Sequence, residues 1–227
     1  MKPIFISISG EAGAGKTTLC GLLTSYYTAK GLSVSPFSFA DPLKDALCLW
    51  FGWDRQRLND DFPYKEGGLG NTDPTDVDPY CVALNMTRRQ IMQRFGTECL
   101  RDGMHEDFWV ILAKLGVQRG VVPLAKLNLI PDARFLNELQ WVKQEDGINV
   151  RVNRVKVDSA HGELTNPTTL TEHSGHSSEL AWKSYSDWDF VLTNRDYIDR
   201  TPAYSKAVFE NQTQRLFDQI DTLYGIS

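Results

Sequence analysis

Gly10-Glu11-Ala12-Gly13-Ala14-Gly15-Lys16-Thr17 has the Gly-x-x-x-x-Gly-Lys-Thr spacing of a phosphate-binding loop. Its flanks supply the setting that this motif requires. Ile4, Phe5, Ile6 and Ile8 read as a short apolar strand before it, and Leu19, Leu22, Leu23 and Tyr26 follow at helical spacing over residues 18–29. With glycine near 7% of residues, the bare pattern arises by chance in roughly one chain of this size per hundred, and the strand–loop–helix setting makes chance far rarer. Glycines let consecutive backbone N–H groups turn inward around phosphate oxygens, and the positive end of the next helix adds to the attraction. Lys16 would reach the β- and γ-phosphates, and Thr17 would offer its hydroxyl to Mg²⁺. A nucleoside triphosphate is the expected ligand.

The remaining composition sets limits. At 227 residues, 41% apolar and 23% charged, the chain suits one soluble α/β domain with a few appendages. A net charge of −5 argues against a general surface for nucleic-acid polymers, which would be basic. Cys20, Cys48, Cys81 and Cys99 are scattered without a Cys-x-x-Cys pair, so no zinc site is expected, and Cys20, in the helix after the loop, and Cys48, in an apolar stretch, read as buried thiols. The chain enters its first strand without a charged leader or signal-like region, and no apolar run is long enough for a membrane span.

Along the chain, residues 32–39 read as a second strand, and Asp41-Pro42 as the N-cap and first residue of a helix ending near Gly52. Residues 54–85, rich in Asp, Asn, Gly and Pro, read as a long irregular insertion. Helical pattern resumes at Thr87 and continues through Leu100, and again over residues 106–115. Lys126-Leu-Asn-Leu-Ile-Pro-Asp132 reads as a buried strand with a carboxylate at its C-terminal end. A helix over 135–143, a strand over 149–157, a short strand from Phe190 to Asn194 and a closing helix over 203–223 follow. Residues 158–187 are polar and hold His173 and His176, which read as part of a solvated lid. Alternating strands and helices imply a three-layer α/β/α fold with a parallel sheet. The expected plan is a single domain: a core of residues 1–53, 120–157 and 188–227, an acceptor-binding insertion over 54–119 and a lid over 158–187.

The loop fixes a donor but not a reaction. The sequence has no Asp-x-x-Gly to sense a γ-phosphate and no Asn-Lys-x-Asp to read guanine; Thr193-Asn194-Arg195-Asp196 comes near, with its acid one place early. That points to ATP. Arg89 heads a helix, Arg134 follows the Asp132 strand end, and Arg151 and Arg154 border the polar stretch, as a two-substrate phosphoryl transfer would need.

Phe39-Ala-Asp-Pro-Leu-Lys44, Arg89-Gln-Ile-Met-Gln93-Arg-Phe-Gly96-Thr97-Glu98, Asp107-Phe-Trp109-Val and Pro131-Asp132-Ala-Arg134-Phe135 occur in that order behind the loop. The series resembles the deoxynucleoside monophosphate kinases of bacteriophages and is similar, less closely, to animal-type phosphomevalonate kinase. The resemblance implies that Lys16, Thr17 and Thr18 handle ATP and Mg²⁺. It places Arg89, Gly96, Thr97 and Trp109 at the acceptor nucleotide, and Asp132, Arg134 and Glu138 between the two substrates. It also implies small-molecule partners, ATP and a deoxynucleoside monophosphate. The scattered thiols and the lack of a leader or membrane span read as a cytoplasmic, reducing setting, that of the host for a phage protein, and the oligomeric state is left open, a homodimer included.

The residues themselves leave alternatives. Asp132 would bind the water shell of Mg²⁺, orient the acceptor, or cap the next helix. Arg89 is a candidate phosphate clamp and Arg88 beside it faces elsewhere. Trp109 stacks on a base or packs in the core. Asp41 caps a helix or contacts substrate, Gln93 one turn beyond Arg89 would touch a base edge, and Glu179 would pair with Arg151 or Arg154 in the lid.

Overall fold

The central strand, β1 (Ile4–Ser9), is buried along its whole length, as its charge-free sequence Ile-Phe-Ile-Ser-Ile-Ser demands. The structure is a computed structural model and describes residues 2–11, 13–71, 73–120, 124–158, 160, 162–164 and 181–226. β1 pairs in parallel with β3 (Leu127–Ile130) on one side and with β4 (Ile148–Asp158) on the other. β2 (Val34–Pro36) lies beyond β3 and β6 (Phe190–Tyr197) beyond β4, both parallel. β5 (Gly162–Leu164) is antiparallel to the end of β4. The sheet is therefore mixed rather than wholly parallel. β5 follows β4 after three residues, and only an antiparallel return fits so short a connection.

Helices cover both faces. Ile4, Ile6 and Ile8 point to one side, where they meet Leu19, Leu23 and Tyr27 of α1 (Lys16–Ala29) and Phe209, Leu216, Phe217 and Ile220 of the long C-terminal helix, Pro202–Tyr224. Steps of four in α1, and of seven and then three or four in the C-terminal helix, put each set on one helix face. On the other side Phe5 and Phe37 pack against Trp141 with ring centroids 5.2 and 6.1 Å away. Trp141 belongs to the helix Leu136–Gln144, which precedes β4. The expected α/β/α layering is present.

Connectivity places the site. β1 leads through α1 to β2, on one side of it, while β3 leads to β4, on the other. The C-terminal ends of β1 and β3 thus lie at a topological switch point, where sheets of this kind open a crevice for ligands.

The chain divides into two compact units, one of residues 1–38 and 115–227 and the other of residues 39–114. The second is helical: α2 (Asp41–Phe51), α3 (Arg55–Asp60), α4 (Phe62–Glu66), α5 (Pro79–Leu84), α6 (Arg88–Gln93), a π-helix over Arg94–Asp102, and most of α7 (Phe108–Gln118). Numbering on in chain order, Leu136–Gln144 is α8 and Pro202–Tyr224 is α9.

Residues 54–85 hold three short helices where an irregular stretch was expected. The misleading composition is a capping signal: Asp54, Asp61 and Asp78 each accept backbone N–H groups at the start of a helix, and prolines open two of the three. Asp41 is the first residue of α2 and not its cap, which is Ala40. β2 is shorter than expected because the Leu32 N–H turns back to the Tyr27 carbonyl at the end of α1. β6 runs past Asn194 to Tyr197 because eight of its residues pair with β4. Among the described residues no helix is long and apolar enough to cross a membrane.

Leu23 is fully buried between β1 and α1. Leu23→Ala should destabilise the protein by about 2–5 kcal/mol, read from the midpoint of urea unfolding.

Candidate nucleotide site

The loop leaves β1 at Gly10, where φ is +153° and a Cβ would lie 2.2 Å from the Val152 carbonyl oxygen of β4. Only glycine fits there. Gly13 and Gly15 are also left-handed, at φ +73° and +108°, and Gly15 is the N-cap of α1. Ala14 between them is buried in the core under the sheet. The Lys16 ammonium donates to the carbonyls of Gly10 and Glu11 at 2.8 Å each, so the side chain folds back over the loop. Thr17 and Thr18 are exposed on the first turn of α1, which carries no acid to offset its positive end.

Two strands brace the loop from outside the motif. Arg154 on β4 donates to the Gly13 carbonyl at 3.0 Å and pairs with Asp196 at 2.8 Å. Asn194, its neighbour across the β4–β6 ladder, donates to the Ala14 carbonyl at 3.1 Å. Arg154 thus touches the loop itself. In sequence, Asn194 reads only as part of a near-miss of the guanine motif; it reaches the loop through strand pairing, which sequence spacing does not carry. Arg151 bonds Asn153 and lies 5.2 Å over the buried Trp182 ring, anchoring a short 3₁₀ turn at Ala181–Ser184. Glu179 and most of the 158–187 stretch lie outside the described residues.

Beside β1, the turn after β3 is pinned residue by residue. The Asp132 carboxylate accepts from Ser38 Oγ at 2.5 Å, and the Ala133 carbonyl from Ser9 Oγ at 2.7 Å. The N–H groups of Arg134 and Phe135 donate to Glu138 Oε2 at 2.7 and 3.0 Å. The Asp132 and Arg134 residues stay half-buried, while Glu138 is only 4% exposed. Burial raises the Glu138 carboxyl to about 7; the two backbone N–H groups and Arg134 pull it back down and Asp132 adds to the rise. Cys20, in α1, is likewise pushed up by burial to about 12 and stays a thiol.

The second unit holds the residues expected at an acceptor. Arg88 is buried, forked onto Asp76 at 2.8 and 2.9 Å, bonded to the Tyr64 carbonyl at 3.0 Å and laid 3.9 Å over the Tyr64 ring. Arg89 faces elsewhere, in a mostly buried pair with Glu66. Gln93 follows one turn on, its amide nitrogen buried with no hydrogen-bond partner among the described residues. Gly96 and Thr97 are buried in the π-helix, a winding that recurs at functional sites. The Trp109 indole is 8% exposed and donates to the Gly96 carbonyl at 2.9 Å, which favours the core alternative for it. Asp41 is tied to Arg55 at 2.6 Å.

No protein-family model matches the chain, and none of the curated proteins is significantly similar to it. Among solved structures it is similar to the APS kinase CysC of Mycobacterium tuberculosis in complex with AMPPNP and APS, at 15% identity over 97% of this chain and 98% of that one, TM-score 0.38. It is also similar to TT1252 from Thermus thermophilus, at 14% identity over 95% and 98%, TM-score 0.37.

Two outcomes follow from the geometry. Gly10→Ala should abolish nucleotide binding by calorimetry, since neither its φ nor the Val152 carbonyl tolerates a methyl group. Glu138 has its folded pKa raised to about 7 from 4.5, so its burial costs nothing below pH 4.5 and an increasing amount as pH rises toward 7. Glu138→Gln should remove that loss, gaining on the order of 3 kcal/mol above pH 7 and little near pH 4.5, measured by thermal unfolding across pH.

Proposed function

We propose that the chain is an ATP- and Mg²⁺-dependent kinase that phosphorylates deoxynucleoside 5′-monophosphates to diphosphates. The observation that carries the donor half is the glycine loop at the end of β1, with Lys16 folded over its carbonyls and α1 offering an uncompensated positive end. The pinned Asp132–Arg134 turn on the neighbouring strand supports transfer rather than simple binding, because it fixes a carboxylate and the backbone of an arginine at the switch point. The resemblance in sequence supplies the acceptor class, with Arg89, Gly96 and Thr97 among its binding residues, and Gln93, one turn beyond Arg89, would touch a base edge.

On this reading Lys16 and the loop amides hold the donor phosphates, Arg134 neutralises charge on the phosphoryl group in transfer, and Arg89 serves the acceptor. An acceptor phosphate oxygen attacks the γ-phosphorus, the bond to the β-phosphate oxygen breaks, and ADP leaves. The attacking oxygen is already anionic, so alignment and charge neutralisation supply the rate without a base or a covalent enzyme intermediate. The residues fit Mg²⁺: Thr17 offers one exposed hydroxyl, and among the described residues no group of three His, Cys, Asp or Glu could hold a metal unaided. A cation bound chiefly by substrate phosphates and one or two protein groups suits Mg²⁺. When bound, it would neutralise charge on the β- and γ-phosphates.

ADP release measured across deoxy- and ribonucleoside monophosphates, with phosphomevalonate included, tests the reading. Turnover with deoxynucleotides that falls by roughly 10²–10³-fold or more in Lys16→Ala, with circular dichroism unchanged, is the expected result. Activity with phosphomevalonate alone would reassign the acceptor, and slow hydrolysis indifferent to every monophosphate would make the chain a nucleotide-binding regulator.

A further inference from the structure

Four consecutive residues after β3 are each held by a separate hydrogen bond. Asp132 is held by Ser38, and Ala133 by Ser9, the last residue of β1 before Gly10. Arg134 and Phe135 are held by Glu138 through their backbone N–H groups. Phe135 is the N-cap of α8 and its side chain has no acceptor, so the start of the helix depends on the carboxylate reaching back from the third helical position. That carboxylate is buried at the foot of α8 beneath the turn. Both N–H groups converge on one oxygen, Oε2.

We infer that Glu138 is a positioning residue for the transfer step: it contacts neither substrate and acts by fixing the Arg134–Phe135 backbone, from which the Arg134 guanidinium is aimed. This rests on the kinase reading for Arg134 and replaces the expectation that Glu138 itself lies between the substrates. Both hydrogen bonds that Glu138 accepts come from its own turn, and the residue is only 4% exposed, so it is tied to the backbone rather than turned toward a ligand. A carboxylate facing two anionic substrates would also repel both. One oxygen accepts both bonds, so a neutral amide oxygen meets the same requirement and the negative charge is not needed.

The experiment combines steady-state kinetics of Glu138→Ala, Glu138→Gln, Arg134→Ala and the Glu138→Ala/Arg134→Ala double variant with hydrogen exchange at amides 134 and 135. Glu138→Ala should lose roughly 10²-fold in kcat with the KM for ATP within about threefold, because the loop is untouched and the aim of Arg134 is lost. Glu138→Gln should recover most of kcat and keep both amides protected. The double variant should be no slower than Arg134→Ala alone, since Glu138 acts through Arg134. Losses in the double variant that multiply, or a Glu138→Gln as slow as Glu138→Ala, would overturn the inference in favour of direct substrate contact. If no monophosphate stimulates the parent protein, the kinase reading fails on its own. The exchange arm then decides: amides equally protected in Glu138→Ala and the parent overturn the tether, and protection lost in Glu138→Ala but kept in Glu138→Gln upholds it.

Discussion

The approach of Gly10 to β4 governs the glycine loop. A backbone that passes so near the Val152 carbonyl cannot carry a side chain, and at φ +153° it cannot continue as an ordinary strand. β1 therefore ends there, and Gly13 and Gly15 bring the chain round into α1. The same approach puts β4 within reach of the loop. Arg154, two residues beyond Val152 and on the same side of the strand, meets Gly13, and Asn194, paired with Arg154 on β6, meets Ala14.

These contacts share one electrostatic purpose. Carbonyl oxygens facing inward would repel an anion as strongly as N–H groups attract it. The carbonyls of Gly10, Glu11, Gly13 and Ala14 are each taken by a donor: Lys16 holds the first two, Arg154 the third and Asn194 the fourth. Loop dipoles fixed before a ligand arrives need not be reorganised at the moment of reaction. The turn after β3 follows the same logic with four tethers on four residues.

The elements legible in the sequence were those whose cause is local. The phosphate loop, the apolar face of α1 and the Thr87 cap with Gln90 all depend on residues within one or two turns, and spacing records them. What stayed hidden depends on partners far apart in the chain. Arg154 and Asn194 reach the loop across about 140 and 180 positions, and Ser9 reaches Ala133 across 124. Periodicity carries no record of such pairs. In residues 54–85 the signal was present and misread, since aspartates that cap helices give a loop-like composition.

Arg88 and Arg89 show how adjacent like residues come to differ. A helix turns about 100° per residue, so the two guanidiniums leave α6 in different directions. Arg88 enters the interior of its unit, where Asp76, Asp78 and the Tyr64 carbonyl and ring enclose it; a charge so buried persists only because its partners are in place. Arg89 pairs with Glu66 and shares its helix face with Gln93, whose amide nitrogen has no partner among the described residues. On the kinase reading, an acceptor phosphate must compete with that carboxylate for Arg89. A phosphate monoester carries close to two negative charges near neutral pH and a carboxylate one, and a phosphate also suits the fork of the guanidinium. A nucleoside without its phosphate brings neither advantage, so the Glu66 pair would itself discriminate in favour of phosphorylated acceptors.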